Sequence, residues 1–149
     1  MAFRSFMDQA LDEARAAGAR GEVPVGAVLV APSGDVVARA GNATRVGNDP
    51  TAHAEIQVIR AGCAAAGSER LPGYDLYVTL EPCAMCAAAI AAARISRLYY
   101  AAADPKSGGV AHGARVFAHP QAHHVPEIYD GIASSAAEAL LKEFFAARR

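Results

Sequence analysis

Two short segments of the chain contain residue types that could support metal-assisted chemistry. Residues 51–55 read Thr-Ala-His-Ala-Glu, and residues 80–86 read Leu-Glu-Pro-Cys-Ala-Met-Cys. One imidazole and two thiolates suit Zn²⁺, and three protein ligands leave a fourth tetrahedral position open for water. The spacing therefore predicts a catalytic zinc site, with His53, Cys83 and Cys86 as the ligands.

Glu55 is expected to act on protons and not to bind the metal. Zinc lowers the pKa of bound water toward about 7, so a neighbouring carboxylate can accept a proton and return it to a leaving amine. The combined pattern H-x-E and P-C-x-x-C is typical of enzymes that hydrolyse an exocyclic amino group from a nucleobase. We therefore predict that Glu55 is the catalytic proton shuttle of a hydrolytic deaminase.

These residues can meet only if two helices begin at the same place. Side chains two apart on a regular helix point roughly 200° away from each other, so His53 and Glu55 can approach one metal only from a helix N-terminus. Cys83 and Cys86 are three apart and can point to one side of a second helix start. The positive end of that helix favours their thiolate forms. We predict two helix starts that face each other.

Other interpretations of the cysteines remain open. A Cys-x-x-Cys could be a redox pair or half of a closed structural zinc site, which needs a fourth ligand near Cys86. The remaining histidines, none at a short ligand spacing from Cys86, are His112, His119, His123 and His124. Cys63 falls on an apolar helical stripe and is predicted to be a core residue, whereas Met85 is predicted to pack.

Hydrophobic periodicity predicts the elements that position these segments. The predicted helices are residues 5–19, a stretch after residue 51, residues 82–93 and a last helix opened by a capping box of Ser135 and Glu138. The predicted strands are residues 25–30, 36–40, 76–80, 98–102 and 125–129, with a short helix near Arg115. A hairpin followed by alternating helices and strands predicts an α/β three-layer domain with parallel strand–helix–strand units.

Composition limits the class of protein. The chain has 149 residues, of which 53% are hydrophobic and 19% charged, so we expect one domain (1–149) with a substantial core. A net charge of -1 means that a nucleic-acid partner must be inferred from the site, although Arg148 and Arg149 end the chain with two cations. Three cysteines, and the lack of a signal-like or bilayer-length apolar run, predict a cytoplasmic protein with no membrane partner.

The chain resembles the cytidine-deaminase superfamily and, within it, the bacterial tRNA adenosine deaminases. The resemblance spans nearly the whole chain. It is carried by residues 21–28, Asn42, residues 49–55, residues 77–87, the Asp-Pro-Lys-Ser-Gly of residues 104–108, Phe144-Phe145 and Arg148-Arg149. It implies a cytidine-deaminase-like α/β/α fold with a central mixed five-stranded sheet, and one zinc ion per subunit without a nucleotide cofactor.

The resemblance also implies a substrate and a set of contacts. Family members form homodimers and convert the wobble adenosine of an arginine tRNA anticodon stem-loop to inosine, with the base unstacked from a single-stranded loop. By this comparison Asn42 would bind the target nucleoside. Asp104 and Lys106 would lie near the flanking nucleotides, and the last helix, with Phe145 and Arg148, would contact the RNA backbone.

Each of these assignments has a simpler alternative. Asn42 could be a turn residue after Gly41, Asp104 could start a turn, and Lys106 could be a solvated charge. Arg148 could complement the dipole of the last helix. At the level of function, the alternatives are a deaminase of free guanine or cytosine, and a non-catalytic zinc subunit, which Glu55 disfavours.

Overall fold

The computed structural model describes residues 5–148, so Arg149 of the predicted basic pair lies outside the described residues. The helices are α1 (Met7–Ala19), α2 (Ala54–Ala66), α3 (Ala84–Ala93) and α4 (Ser134–Ala146). The strands are β1 (Gly26–Val30), β2 (Val36–Gly41), β3 (Asp75–Leu80), β4 (Arg97–Ala102) and β5 (Glu127–Tyr129), with a 3₁₀ turn at Val116–Ala118. None of the helices between residues 5 and 148 is long and apolar enough to cross a membrane.

The strands form one mixed five-stranded sheet with the order β2-β1-β3-β4-β5. Strand β1 is antiparallel to β2 and to β3, whereas β3, β4 and β5 run parallel. Helices α2 and α3 pack together on one face of the sheet, and α1 and α4 pack on the other. The predicted three-layer α/β/α class, the mixed sheet and the parallel β3–α3–β4 unit are therefore confirmed.

The strands in the middle of the sheet are apolar because both of their faces are covered. All five residues of β1 are buried, and so are the four central residues of β3. Burial of each large apolar side chain contributes roughly 1.5–3 kcal/mol to folding. Strands β1 and β3 therefore form a rigid base beneath the loops that leave one edge of the sheet.

Helix α1 lies unusually close to β1 because small residues meet there. A Cβ atom on Gly26 would overlap the carbonyl oxygen of Ala10 and would lie 2.5 Å from the backbone nitrogen of Ala14. Ala10, Ala14 and Ala17 are fully buried on the facing side of the helix. The high alanine content of the chain thus allows close packing of the helix on the sheet.

Three tyrosines stack across neighbouring strands on the α1–α4 side of the sheet. The ring centroids of Tyr77 and Tyr99 are 4.3 Å apart with an interplanar angle of 4°, and those of Tyr99 and Tyr129 are 5.0 Å apart at 20°. The pairing register places Tyr77 opposite Tyr99 and Tyr99 opposite Tyr129. Cross-strand aromatic pairs of this kind stabilise a sheet.

The predicted bounds of the strands and helices lie within two residues of the observed ones, and two of the differences have a clear local cause. The predicted capping box of Ser135 and Glu138 is wrong: Ser135 as the N-cap would start the helix at residue 136, but α4 begins two residues earlier, at Ser134. Its N-cap, Ala133, has a left-handed backbone (φ 58°), and no side chain caps the helix. Strand β5 begins at Glu127 and not at Val125, because Pro126 has no N–H to donate to a ladder.

Candidate active site

The predicted metal ligands lie together at one edge of the sheet. The Nδ1 atom of His53 is 3.6 Å from Sγ of Cys83 and 3.4 Å from Sγ of Cys86. All three donor atoms lie within 4.8 Å of one another. Ligands at the usual Zn–N and Zn–S distances of a tetrahedral site are about 3.6 Å apart. The donor set and its spacing therefore fit one zinc ion with a fourth position left for water or substrate.

Two helix N-termini bring these donors together, as the spacing predicted. His53 is the N-cap of α2 and Cys83 is the N-cap of α3, and both have extended backbones (ψ 155° and 174°). Cys86 lies in the first turn of α3 and is fully buried. Neither N-cap side chain makes a capping hydrogen bond to its own helix. Loss of such a cap costs about 1 kcal/mol, so both helix starts give up stability to present metal donors.

The electrostatics of the cluster favour an ionised thiol next to the imidazole. Hydrogen bonds from Cys86 and His53 lower the pKa of Cys83 to about 4. The contact with Cys83, together with burial, raises the pKa of Cys86 above its ordinary value. The hydrogen bond to Cys83 also raises the pKa of His53. The cluster therefore favours a thiolate beside the imidazole, and a bound zinc ion would hold both cysteines as thiolates.

Glu55 lies in the first turn of α2, beside the donors, and only 4% of it is exposed. Burial raises the pKa of its carboxyl group above the ordinary value, which makes the group a better proton acceptor. The carboxyl group lines the same cavity as His53 and Cys83. This is the location that a proton shuttle would need.

The cavity at the cluster has a volume of about 250 Å³. Its walls come from segments that flank strand ends at one edge of the sheet, including Val25, Asn42, Leu80 and Asp104. Ligands of open α/β sheets usually bind at such an edge. The cavity is smaller than the roughly 300–1,000 Å³ of pockets that enclose drug-sized molecules, and it suits a single nucleobase.

A wider groove of about 720 Å³ adjoins the cavity. The two share Val23, Leu80, Asp104 and Ser107 in their walls. The groove alone contains Lys106, Phe145 and Arg148. The structure thus brings the residues predicted to contact substrate to one continuous depression that leads away from the metal cluster.

Asn42 is a buried wall residue and does not form a left-handed turn. It is 8% exposed, and its backbone N–H donates to the carbonyl oxygen of Val25. Its Nδ2 atom lies 3.4 Å from Oγ1 of Thr44. The left-handed backbone in this loop occurs instead at Asn48 (φ 47°). The Asn42 amide is therefore held at the cavity by its neighbours.

Asp104 and Arg148 make the local contacts of the simpler alternatives and also lie in the wall of the groove. Oδ1 of Asp104 accepts hydrogen bonds from the N–H groups of Lys106 and Ser107, at 3.2 and 2.9 Å, so it does start a turn. The guanidinium of Arg148 lies 3.5 Å from the centroid of the Phe144 ring and donates to the Phe144 carbonyl. Each residue also lines the groove.

Sequence reasoning missed two buried acids beside the site. Glu22 is 2% exposed and accepts the N–H groups of Arg45 and Val46, at 3.1 and 2.8 Å, in the loop that follows Asn42. Glu81 is also buried: desolvation opposes its charge, but hydrogen bonds from Asp104 and His112 lower its pKa below the ordinary value. Only the tertiary structure shows that both acids are buried.

Comparison with known proteins agrees with this site. Residues 2–102 match the family described as the cytidine and deoxycytidylate deaminase zinc-binding region. The tRNA-specific adenosine deaminase of Agrobacterium fabrum is 61% identical over 144 residues, which are 97% of this chain and 94% of that protein. Because the matched region binds zinc and the donors suit that ion, the metal of this chain is one zinc ion.

Solved structures give the same result. A structure from a study of A-to-I editing by tRNA A34 deaminases at the wobble position has a TM-score of 0.89 and 62% identity. The aligned region covers 91% of this chain and 98% of the chain in that structure. The structure of a guanine deaminase from Bacillus subtilis has a TM-score of 0.67 and 30% identity. The aligned region covers 99% of this chain and 94% of the chain in that structure. The chain thus belongs to the zinc-dependent cytidine and deoxycytidylate deaminase family of enzymes, and within it to the tRNA-specific adenosine deaminases.

Proposed function

We propose that the enzyme deaminates the wobble adenosine of a tRNA anticodon stem-loop to inosine. The observation that carries this proposal is the continuity of the small cavity with the wide groove. A free base needs only a closed pocket, whereas a base within a strand needs a pocket and a path for its neighbours. Enzymes that act on a base in a nucleic acid take it out of the stack into such a pocket. Similarity to tRNA-specific adenosine deaminases supports the same substrate.

His53, Cys83 and Cys86 would hold the zinc ion, which supplies a water molecule activated for attack near neutral pH. Glu55 accepts the proton of the attacking water and delivers protons to the ring nitrogen and the departing ammonia. Carbon 6 of adenine gains the water oxygen and loses its amino group, so adenosine and water yield inosine and ammonia. The buried position of Glu55 keeps its carboxyl group away from bulk solvent.

The remaining predicted residues would bind the nucleic acid. Asn42 would hydrogen-bond the target nucleoside from the cavity wall, and Asp104 would lie between this nucleoside and the next. Lys106 and Arg148 place two cations on the groove, where they would contact phosphates. Phe145 is 48% exposed and could stack on a base. These cations give local attraction for RNA in a chain whose net charge is only -1.

We also propose that two copies of the chain associate through α3. All ten residues of this helix are alanine, methionine, cysteine or isoleucine, so its outer face is as apolar as its buried face. The exposed part of that face consists of Ala84, Met85, Ala88 and Ala92. A helix that is apolar all round is normally covered on every side. A homodimer that buries this face would place two metal sites near the subunit interface.

Two further proposals concern the chain as a whole. We propose a single deaminase domain, because one sheet connects the two apolar cores of the described residues. We propose a cytoplasmic location, which suits an enzyme with metal-binding thiols and a tRNA substrate.

The substrate prediction is tested by deamination assays with zinc-loaded protein. The panel contains an anticodon stem-loop with a wobble adenosine, the same stem-loop with guanosine at that position, and free adenosine, guanine, cytosine and cytidine. We expect inosine from the adenosine stem-loop alone, with products resolved by chromatography. Turnover of a free base or nucleoside without turnover of the stem-loop would reject the RNA substrate and favour the free-base alternative.

Glu55→Gln is expected to retain one zinc ion per chain and to lose activity. The amide has a similar shape but cannot accept and return a proton, so kcat should fall by about 10²–10⁴-fold. Single-turnover kinetics measure the loss, and elemental analysis measures the metal. A variant with near wild-type kcat would remove the proton-shuttle role from Glu55.

Cys83→Ala is expected to lose zinc and stability together, because the metal ties two helix starts. Loss of a ligand present at 1,000 times its dissociation constant removes about 4 kcal/mol. For a chain of this size that amounts to a decrease in Tm of about 8–16 °C. Cys63→Ala is the matched control, because Cys63 lies on α2 and does not belong to the metal cluster. This variant should retain one zinc ion per chain. Full metal content in Cys83→Ala would refute the ligand assignment.

The dimer prediction is tested by Ala92→Glu, which places a charge on the exposed face of α3 near its C-terminal end. Light scattering should give a dimer mass for the wild type and a monomer mass for this variant at equal concentration. Ala16→Glu changes an exposed alanine of α1 and should remain dimeric. A monomeric wild type at high micromolar concentration, or a dimeric Ala92→Glu, contradicts the proposed interface.

A further inference from the structure

We propose that the side chain of Glu81 is a positioning residue that holds the loop of residues 104–112 against the start of α3, and thereby fixes the substrate-binding turn relative to the metal ligands. The proposal rests on the function proposed above, because it assigns that loop to substrate binding. It also gives His112, which the sequence left without a role, a defined contact.

The Glu81 side chain has no exposed surface, yet its carboxylate receives five hydrogen bonds from the loop. Oε1 accepts the N–H of Asp104 at 3.0 Å and lies 2.8 Å from Nδ1 of His112. Oε2 accepts the N–H groups of Val110, Ala111 and His112 at 3.0–3.1 Å. A carboxylate can only accept hydrogen bonds, so Nδ1 of His112 carries the proton of this contact.

These contacts account for a buried charge that would otherwise be unfavourable. An ionised carboxylate away from water is strongly unfavourable unless hydrogen bonds replace its hydration. Backbone N–H groups supply four of the five contacts, so the carboxylate acts on the course of the loop and not on one side chain. The loop in turn gains partners for amide groups that its own turns leave unpaired.

Glycines allow the loop to approach this closely. A Cβ atom on Gly108 would overlap Oε2 of Glu81, and one on Gly109 would lie 2.5 Å from the backbone nitrogen of Ala84. The N–H of Gly109 donates to the carbonyl oxygen of Pro82 at 2.8 Å. The loop therefore packs directly on the residues that begin α3, without an intervening side chain.

The consequence for the site follows from chain order. Glu81 holds the loop, and Cys83, two residues later, supplies a metal donor. Asp104 and Ser107, which the loop carries, line both the cavity and the groove. A weakened set of hydrogen bonds to Glu81 should therefore move the substrate-binding turn relative to the metal. No metal donor is removed by such a change, and the altered side chain has no exposed surface in the cavity.

The test is Glu81→Gln, which keeps the shape of the side chain but replaces one acceptor oxygen by an NH₂ group. Whether the NH₂ group replaces Oε1 or Oε2, it faces at least two N–H groups of the loop and can accept a hydrogen bond from none of them. We expect faster hydrogen–deuterium exchange at the amides of residues 104 and 110–112. We also expect a KM for the stem-loop raised about tenfold with kcat changed by less than about threefold, the pattern for lost binding that ground state and transition state share, and one zinc ion retained.

Two comparisons make this result specific. Glu22→Gln changes the other buried acid and should speed exchange at residues 45 and 46, while residues 104 and 110–112 stay protected. Asp35→Asn makes the same chemical change at an exposed turn between β1 and β2, and should leave exchange and kinetics as in the wild type. Wild-type exchange and wild-type KM in Glu81→Gln would overturn the proposal.

A second variant decides the question if Glu81→Gln loses zinc or fails to fold. Gly108→Ala leaves Glu81, Pro82 and Cys83 in place and pushes the loop away from Oε2. A raised KM with retained zinc supports the proposal, and an unchanged KM with protected amides overturns it. The exchange measurement needs no substrate, so it reports on the anchor even where the stem-loop is not turned over. Failure of the proposed function and failure of this inference are therefore distinguishable.

Discussion

The structure depends on one constraint, which is that two helix N-termini must meet within the coordination sphere of a single metal ion. The donors His53 and Cys83 are 30 residues apart in the chain, yet their ligand atoms are 3.6 Å apart. Strands β1 and β3 make this possible, because their buried faces fix the position of α2 and α3 on the sheet. The loops that form the cavity leave the same edge, so their positions also follow from the sheet.

The metal site places residue types at positions that helix-capping and burial preferences disfavour. Helices prefer Ser, Thr, Asp or Asn at the N-cap, but α2 and α3 begin with His53 and Cys83. Glu55 and Glu81 are buried acids close to the metal donors, although acids are seldom fully buried. Proteins tend to break local rules at functional sites and to recover the stability elsewhere. Here the close packing of small residues, as between α1 and Gly26, contributes to that recovery.

Much of the fold and the centre of the site could be predicted from the sequence. Periodicity identified the helices and strands, and the two-residue spacing of His53 and Glu55 required a helix start, as the structure confirms. The predicted start of α4 was wrong, because no feature of the sequence indicates the left-handed backbone at Ala133. The hydrogen bonds to Glu81 and the continuity of cavity and groove depend on contacts between distant segments, which spacing and periodicity do not encode.

The tyrosine stack affects how the protein absorbs and emits light. The chain contains five tyrosines and no tryptophan, so its near-ultraviolet spectrum arises chiefly from tyrosine, with weak contributions from phenylalanine. Tyr77, Tyr99 and Tyr129 stack on the face covered by α1 and α4, whereas Tyr100 belongs to the core beneath α2 and α3. Circular dichroism from the stacked rings therefore reports on the layer that lies opposite the zinc ligands. A dichroic signal that survived chelation of the metal would mean that this half of the molecule keeps its packing on its own.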